Sequence, residues 1–193
     1  MDIQTLFGLE GKTALVTGGA TGIGRMAAEA LVRAGARVLI ASRKGEACEA
    51  VAKELNALGA SGSAEGFAGD VGTEEGVDAM VAAVKDRTES LDILMNNAGI
   101  TWGAPLGDFP FKAWGKVMDV NVAGLFDLTQ KLLPLLKANA TIDDPARVVN
   151  VGSVTSESRV AQAGKGNSTA SGTGISGWEM NIVPGLASVA RPR

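Results

Sequence analysis

The chain has 193 residues, 46% of them apolar and 20% charged, with a formal net charge of −3. That length is enough for one domain with a real core, and the slightly acidic balance gives no general attraction to nucleic acid or to an anionic membrane. There is no histidine, no tyrosine and a single cysteine, Cys48, which excludes histidine catalysis and an internal disulfide framework and makes a metal site a poor match.

The first residues, MDIQTLFGLEGK, lack a basic region followed by an apolar run, so no signal peptide is expected. No apolar run approaches the ~18 residues that a membrane-spanning helix needs. With one cysteine and no targeting segment, a cytoplasmic location is the expectation.

Residues 12–18, KTALVTG, form a β-rich run that stops at glycine. Residues 22–35 read as a helix, with Ile23, Ala27, Ala30, Leu31 and Ala34 recurring at spacings of three and four and Gly35 ending it. A second strand follows at 36–42 and a second helix at 45–59. A third, weaker strand is expected at 64–70. The helix at 73–87 has Thr73 as N-cap, with Glu74 and Glu75 near the positive end of its dipole. A fourth strand spans 91–99. A long helical region covers 110–138, interrupted around Val120 to Gly124, and a fifth strand spans 146–153. Alternating strands and helices predict an α/β fold of the Rossmann type, a doubly wound and mainly parallel sheet. Beyond Ser156 the composition changes. More than half of residues 152–177 are Gly, Ser or Thr, and the stretch reads as loop or disorder.

TGGATGIG (17–24) joins the first strand to the first helix. Glycines there allow a tight turn, close approach to a pyrophosphate and close helix–sheet packing, while the free N–H groups of the helix start face the phosphates. The alternative is a glycine-rich turn that binds nothing. A dinucleotide fold often places an acid about 20 residues further on, to hold the ribose 2′-hydroxyl. Here Ser42, Arg43 and Lys44 stand there, and cationic groups suit a 2′-phosphate, so NADP(H) is favoured over NAD(H). A solvated basic turn is the bland alternative. NNAG (96–99) falls at the carboxyl end of the fourth strand, where open α/β sheets bind ligands.

Taken together, TGGATGIG, ASR (41–43), GDV (69–71), NNAG, Asn121–Val122 and VNVGS (149–153) resemble the short-chain dehydrogenase/reductase family over about residues 8–155. In detail the chain is similar to the 3-oxoacyl reductases of rhamnolipid-type biosynthesis and to gluconate-type dehydrogenases. The resemblance implies hydride transfer between a small carbonyl or alcohol substrate, with a 3-oxoacyl thioester as one candidate, and NADP(H); the charge and the apolar runs leave no expectation of a nucleic-acid or membrane partner. It implies that Gly18, Ile23 and Gly24 wrap the pyrophosphate, with Thr17, Thr21 and Gly22 in the same turn. It places Ser42 and Arg43 at the 2′-phosphate and Asp70 and Val71 at the adenine. Asn97, Ala98 and Gly99 would lie along the adenosine ribose and the central sheet. As catalytic residues it implies Asn121, holding a water in a proton relay, and Ser153, bonding the substrate carbonyl. Single residues keep simpler alternatives: Asp70 as a helix cap, Asn121 as a backbone clamp at a helix kink.

The family pattern also asks for a tyrosine about a dozen residues after the serine and a lysine four residues later. The tyrosine protonates the carbonyl oxygen, and the lysine binds the nicotinamide ribose and lowers the tyrosine pKa. Neither the region AQAGKGNSTASG nor any other part of the chain holds a tyrosine, and Lys165 reads as a solvated loop residue. NIVPG (181–185) is similar to the family's sixth strand, with Pro184 and Gly185 near the nicotinamide. The helix expected before it, which in the family forms much of a homo-oligomeric interface, is not legible. The expectation is a single dinucleotide-binding domain over 1–193, matching the family to about residue 155, with 156–193 an atypical, replaced or frame-shifted tail, and a chain tens of residues shorter than a usual member. A non-catalytic NADP(H)-binding module and a truncated fragment are the alternatives to an enzyme. A methyltransferase fits less well, since it would want an acid where Ser42 and Arg43 stand.

Overall fold

A computed structural model of the protein describes residues 6–105, 108, 110–152, 167–171 and 180–183. In chain order the first half runs β1 (Thr13–Thr17), α1 (Gly22–Arg33), β2 (Arg37–Ser42), α2 (Gly45–Asn56), β3 (Ser63–Ala68), α3 (Glu74–Lys85) and β4 (Ile93–Asn96). Then follow β5 (Thr101–Pro105), α4 (Phe111–Met118), a π-helical turn (Asp119–Ala123), α5 (Gly124–Ala138), β6 (Ala146–Asn150), β7 (Asn167–Ser171) and β8 (Met180–Val183).

The main sheet has the order β3-β2-β1-β4-β6-β8. Its first five strands are parallel, with Leu15 beside Leu39 and Leu94, and Leu94 beside Val148. The strand sequences explain why both faces are covered. Ala14, Val16, Val38 and Ile40 point into a core shared with Ala28 and Val32 of α1 and Cys48, Val51 and Leu55 of α2. Leu15, Leu39, Ala41 and Leu94, alternating with them, enter a second core with Val77, Met80 and Val84 of α3 and Leu128, Leu132 and Leu136 of α5. Strands buried on both faces read as continuous apolar runs rather than alternating ones, as ALV and VLIA do here.

Several expectations are corrected. The buried stripe of α1 is Gly24, Ala28 and Val32, while Ile23 is 56% exposed. Small residues at 24 and 28 let the helix lie close on the sheet, so apolar spacing alone chose the neighbouring stripe. The fourth strand is shorter than the apolar run suggests: only 93–96 pair, and the NAG residues form the turn beyond. The interruption near 120–124 is a π-turn, with helix on both sides. The reading of residues 152–177 as loop or disorder fails at one place. β7 pairs antiparallel with β5 as a separate two-stranded sheet, Trp102 opposite Ala170. The strand expected at NIVPG is present as β8, which extends the main sheet with Val183 beside Ala146 but runs antiparallel to β6; strand content alone carries no direction. β5 was not expected at all. Among the described residues no helix is long and apolar enough to cross a membrane.

Candidate dinucleotide site

β1, β2, β3 and β4 all end at the same edge, and the turns that leave them surround a cavity of about 140 Å³. β1 supplies Thr17 and Gly18, and β2 supplies Ala41, Ser42 and Arg43. The turn after β3 supplies Gly69, Asp70 and Val71. The turn after β4 supplies Ala98, Gly99 and Ile100, with Val120 of the π-turn and Met80 of α3 completing the wall. This is the crevice outside the carboxyl ends of the strands, where open α/β sheets take their ligands.

The glycine turn is held from the side by Asn97. Its Nδ2 donates to the carbonyls of Thr17 (2.9 Å) and Gly18 (3.2 Å). Gly18 has a positive φ of 65°, and a Cβ on Gly24 would stand 2.4 Å from that Nδ2 and 2.5 Å from the Gly18 oxygen. Both positions therefore require glycine, one for conformation and both for the close approach. Gly22, at φ 53°, faces open space instead. Thr21 precedes α1 without a side-chain cap, and no acid occupies the first turn. The positive end of the helix dipole is left for an outside anion.

Thr17 is only 2% exposed. Its hydroxyl accepts the backbone N–H groups of Asn97 and Ala98, both at 3.0 Å, and donates toward Met95 at 3.4 Å. It joins the ends of β1 and β4 as well as lining the cavity. Asn96 faces the other way, donating to Thr129 Oγ1 (3.0 Å) and Asn150 Oδ1 (2.9 Å).

Asp70 Oδ1 accepts from Gly72 N at 2.9 Å. The α3 cap is Thr73, whose hydroxyl accepts from Gly76 N at 3.0 Å, as the sequence predicts, so the alternative of Asp70 as helix cap is not realised. Asn121 lies in the π-turn, 5% exposed. Its Oδ1 accepts from Ile100 N and its Nδ2 donates to Ile100 O, both at 2.8 Å. The backbone-clamp alternative is thus the geometry seen. It needs the π-turn to aim the amide, and π-turns are common at functional sites.

Arg43 and Lys44 are exposed and form no ion pair among the described residues. They offer positive charge at the mouth, while Val71, Met80 and Val120 offer an apolar wall. These residues fit the adenosine half of a phosphorylated dinucleotide. Ser153, Pro184 and Gly185 lie outside the described residues. Sequence reading missed Met80, Ile100 and Val120 as wall residues. It also missed Gly124, where a Cβ would come 1.8 Å from the Val71 oxygen; an isolated glycine just after the helix interruption was the available signal.

A glycine-turned, doubly wound sheet with a cavity at its carboxyl edge is a Rossmann-type fold, and the chain belongs to the short-chain dehydrogenase family, whose model matches residues 12–183. It is similar to a rhamnolipid-biosynthesis 3-oxoacyl-[acyl-carrier-protein] reductase of Pseudomonas aeruginosa, 46% identical over 148 residues, covering 77% of this chain and 57% of that protein. It is also similar to a gluconate 5-dehydrogenase of Gluconobacter oxydans, 34% identical over 97% of this chain and 69% of the relative. Among solved structures, the Pseudomonas aeruginosa RhlG/NADP active-site complex superposes with a TM-score of 0.73 at 44% identity, covering 82% of this chain and 60% of the other. A 3-oxoacyl reductase from Agrobacterium tumefaciens with NADP bound gives 0.71 at 31% identity, over 81% and 58%. The chain thus spans little more than half the length of the rhamnolipid reductase.

Proposed function

We propose that the chain binds NADP(H) in the edge cavity, in preference to NAD(H), and derives from enzymes that move a hydride between a small carbonyl and an alcohol. The carrying observation is the cavity itself, where the glycine turn, the half-buried Ser42 with the exposed Arg43, and the Asp70–Val71 wall converge. NADP complexes among its structural neighbours support the choice of cofactor. Gly18, Gly22 and the start of α1 hold the phosphates, Arg43 meets the 2′-phosphate, and Val71 and Met80 flank the base. Asp70, Ala98 and Gly99 stand along the adenosine. Asn121 fixes Ile100 and so keeps the wall after β4 in register. When bound, the nicotinamide would supply or accept the hydride. We treat residues 1–193 as one dinucleotide-binding domain acting on a small-molecule substrate.

The chain has no tyrosine to protonate the carbonyl oxygen. Removing a positioned acid typically costs about 10²–10⁴ in rate. A mass-verified preparation given NADPH and a 3-oxoacyl thioester should therefore consume NADPH no faster than the no-protein control. Robust turnover would overturn that part of the proposal. Binding is tested by calorimetry with adenosine 2′,5′-bisphosphate beside adenosine 5′-monophosphate. The bisphosphate should bind more tightly; equal or absent binding of the two would contradict the cavity's assignment.

A further inference from the structure

Cys48 lies in the first turns of α2 and is fully buried. Its Sγ is 3.1 Å from the Oγ of Ser42, one of the residues that form the cavity's mouth. The Ser42 hydroxyl has two further neighbours. It accepts from Lys44 N at 3.3 Å and is within 3.3 Å of the Lys44 carbonyl. A hydroxyl has one proton to give and two lone pairs to fill. Lys44 N–H fills one lone pair.

We infer that the Cys48 thiol fills the second, making Ser42 a group that can only donate toward the cavity, and that Cys48 is thereby a positioning residue for discrimination between a 2′-phosphate and a 2′-hydroxyl. The inference rests on the assignment of the cavity to NADP(H). Buried against Val51 and the sheet, the thiol has no solvent to bond, and Ser42 is the hydrogen-bonding side chain within its reach among the described residues. With both lone pairs occupied, the one Ser42 proton can turn from its long contact with the Lys44 carbonyl to an incoming oxygen. A phosphate oxygen is a charged acceptor and makes the stronger bond. A ribose hydroxyl, which can pair as donor or acceptor, finds only one of those modes open. Freeing a lone pair on Ser42 restores the second mode and favours the unphosphorylated ribose.

The test measures dissociation constants for NADPH and NADH on the wild-type chain and on Cys48→Ala, Cys48→Val and Cys48→Ser, with thermal melts to confirm folding. In the Ala and Val variants the preference for NADPH should fall about 3-fold, within the range of one hydrogen bond. Cys48→Ser, which keeps a donor, should restore it. In a Ser42→Ala background, Cys48→Ala should change nothing further. This last comparison still decides the matter where a single variant melts early, because it reads a ratio of affinities on folded protein. An unchanged ratio in Cys48→Ala and Cys48→Val, with wild-type preference for NADPH intact, overturns the role of Cys48 alone. Failure of the wild-type chain to bind either dinucleotide overturns the cavity's assignment, and the inference falls with it.

Discussion

At the residue scale, the site is built from groups whose chemistry is satisfied mainly by the protein's own backbone. Thr17 is the clearest case. One hydroxyl receives two backbone N–H groups from the turn after β4, and both would lose their partner in Thr17→Val, a change of nearly equal volume. Leaving a buried donor unsatisfied costs about 1–3 kcal/mol, so urea unfolding should show a loss of about that size, and NADPH binding should weaken as the glycine turn loosens. A midpoint equal to wild type would mean water reaches those groups. Arg43 belongs to the opposite class, exposed and without a protein partner among the described residues. Arg43→Ala should leave the melting temperature unchanged while weakening NADPH binding about 10-fold, the scale of a lost bond to a charged group, with less salt dependence than wild type. An NADH affinity that falls equally would argue against contact with the 2′-phosphate. The positions of Gly18, Arg43 and Asp70 on the cavity and of Asn97 beside the glycine turn were legible because each belongs to a motif local to a strand end. Met80 and Ile100 were not, because a wall residue is defined by what faces it and not by its neighbours in sequence.

At the element scale, ion pairs tie the strand starts and the outer helices. Lys12, beside β1, pairs with Asp92 before β4 at 3.3 Å and with Asp144 before β6. The hydrogen bond with Asp144, outweighing partial burial, raises the Lys12 pKa above its ordinary 10.5, and the bond from Lys12 lowers that of Asp144 below its ordinary 3.8. The signs are opposite in effect. The raised lysine contributes stability that is complete below about 10.5 and fades as pH rises through its folded value. The lowered carboxyl contributes stability that is complete above about 3.8 and fades as pH falls through its folded value. Lys12→Met should therefore be less stable than wild type at pH 7, and the gap in urea midpoint should narrow at pH 2.5. A gap independent of pH would show that Lys12 acts by packing its stem. Lys131 joins helices in the same way, with Asp78 of α3 at 2.5 Å and Asp127 of α5 at 2.9 Å, and both bonds raise its pKa. At this scale the sequence was most readable where period and punctuation agree, as in α3 with its Thr73 cap. It misled in α1, where glycine and alanine rather than the bulkier residues face the sheet, because close approach and not residue size decided the packing.

At the scale of the molecule, the doubly wound sheet brings four turns to one edge, and on that convergence rests the proposal of a nucleotide site built from separately weak motifs. The parallel order through β6 follows from alternating apolar strands and amphipathic helices. The last described strands do not follow from it: β7 and β8 both pair antiparallel, through partners far away in sequence. The glycine- and serine-rich segment around β7 carries little packing information, so its pairing was not readable from the chain, while the NIVPG run announced the strand β8 but not its direction. The described core on both faces of β1 and β2 is supplied by β1–β4, β6 and the helices α1, α2, α3 and α5, and cofactor binding is expected on that scaffold even though no tyrosine is present for proton transfer. The most direct test is a fluorescence titration of the purified chain with NADPH, run beside NADH. Saturable binding that favours NADPH is the predicted result; binding of neither dinucleotide would contradict the assignment of the edge cavity.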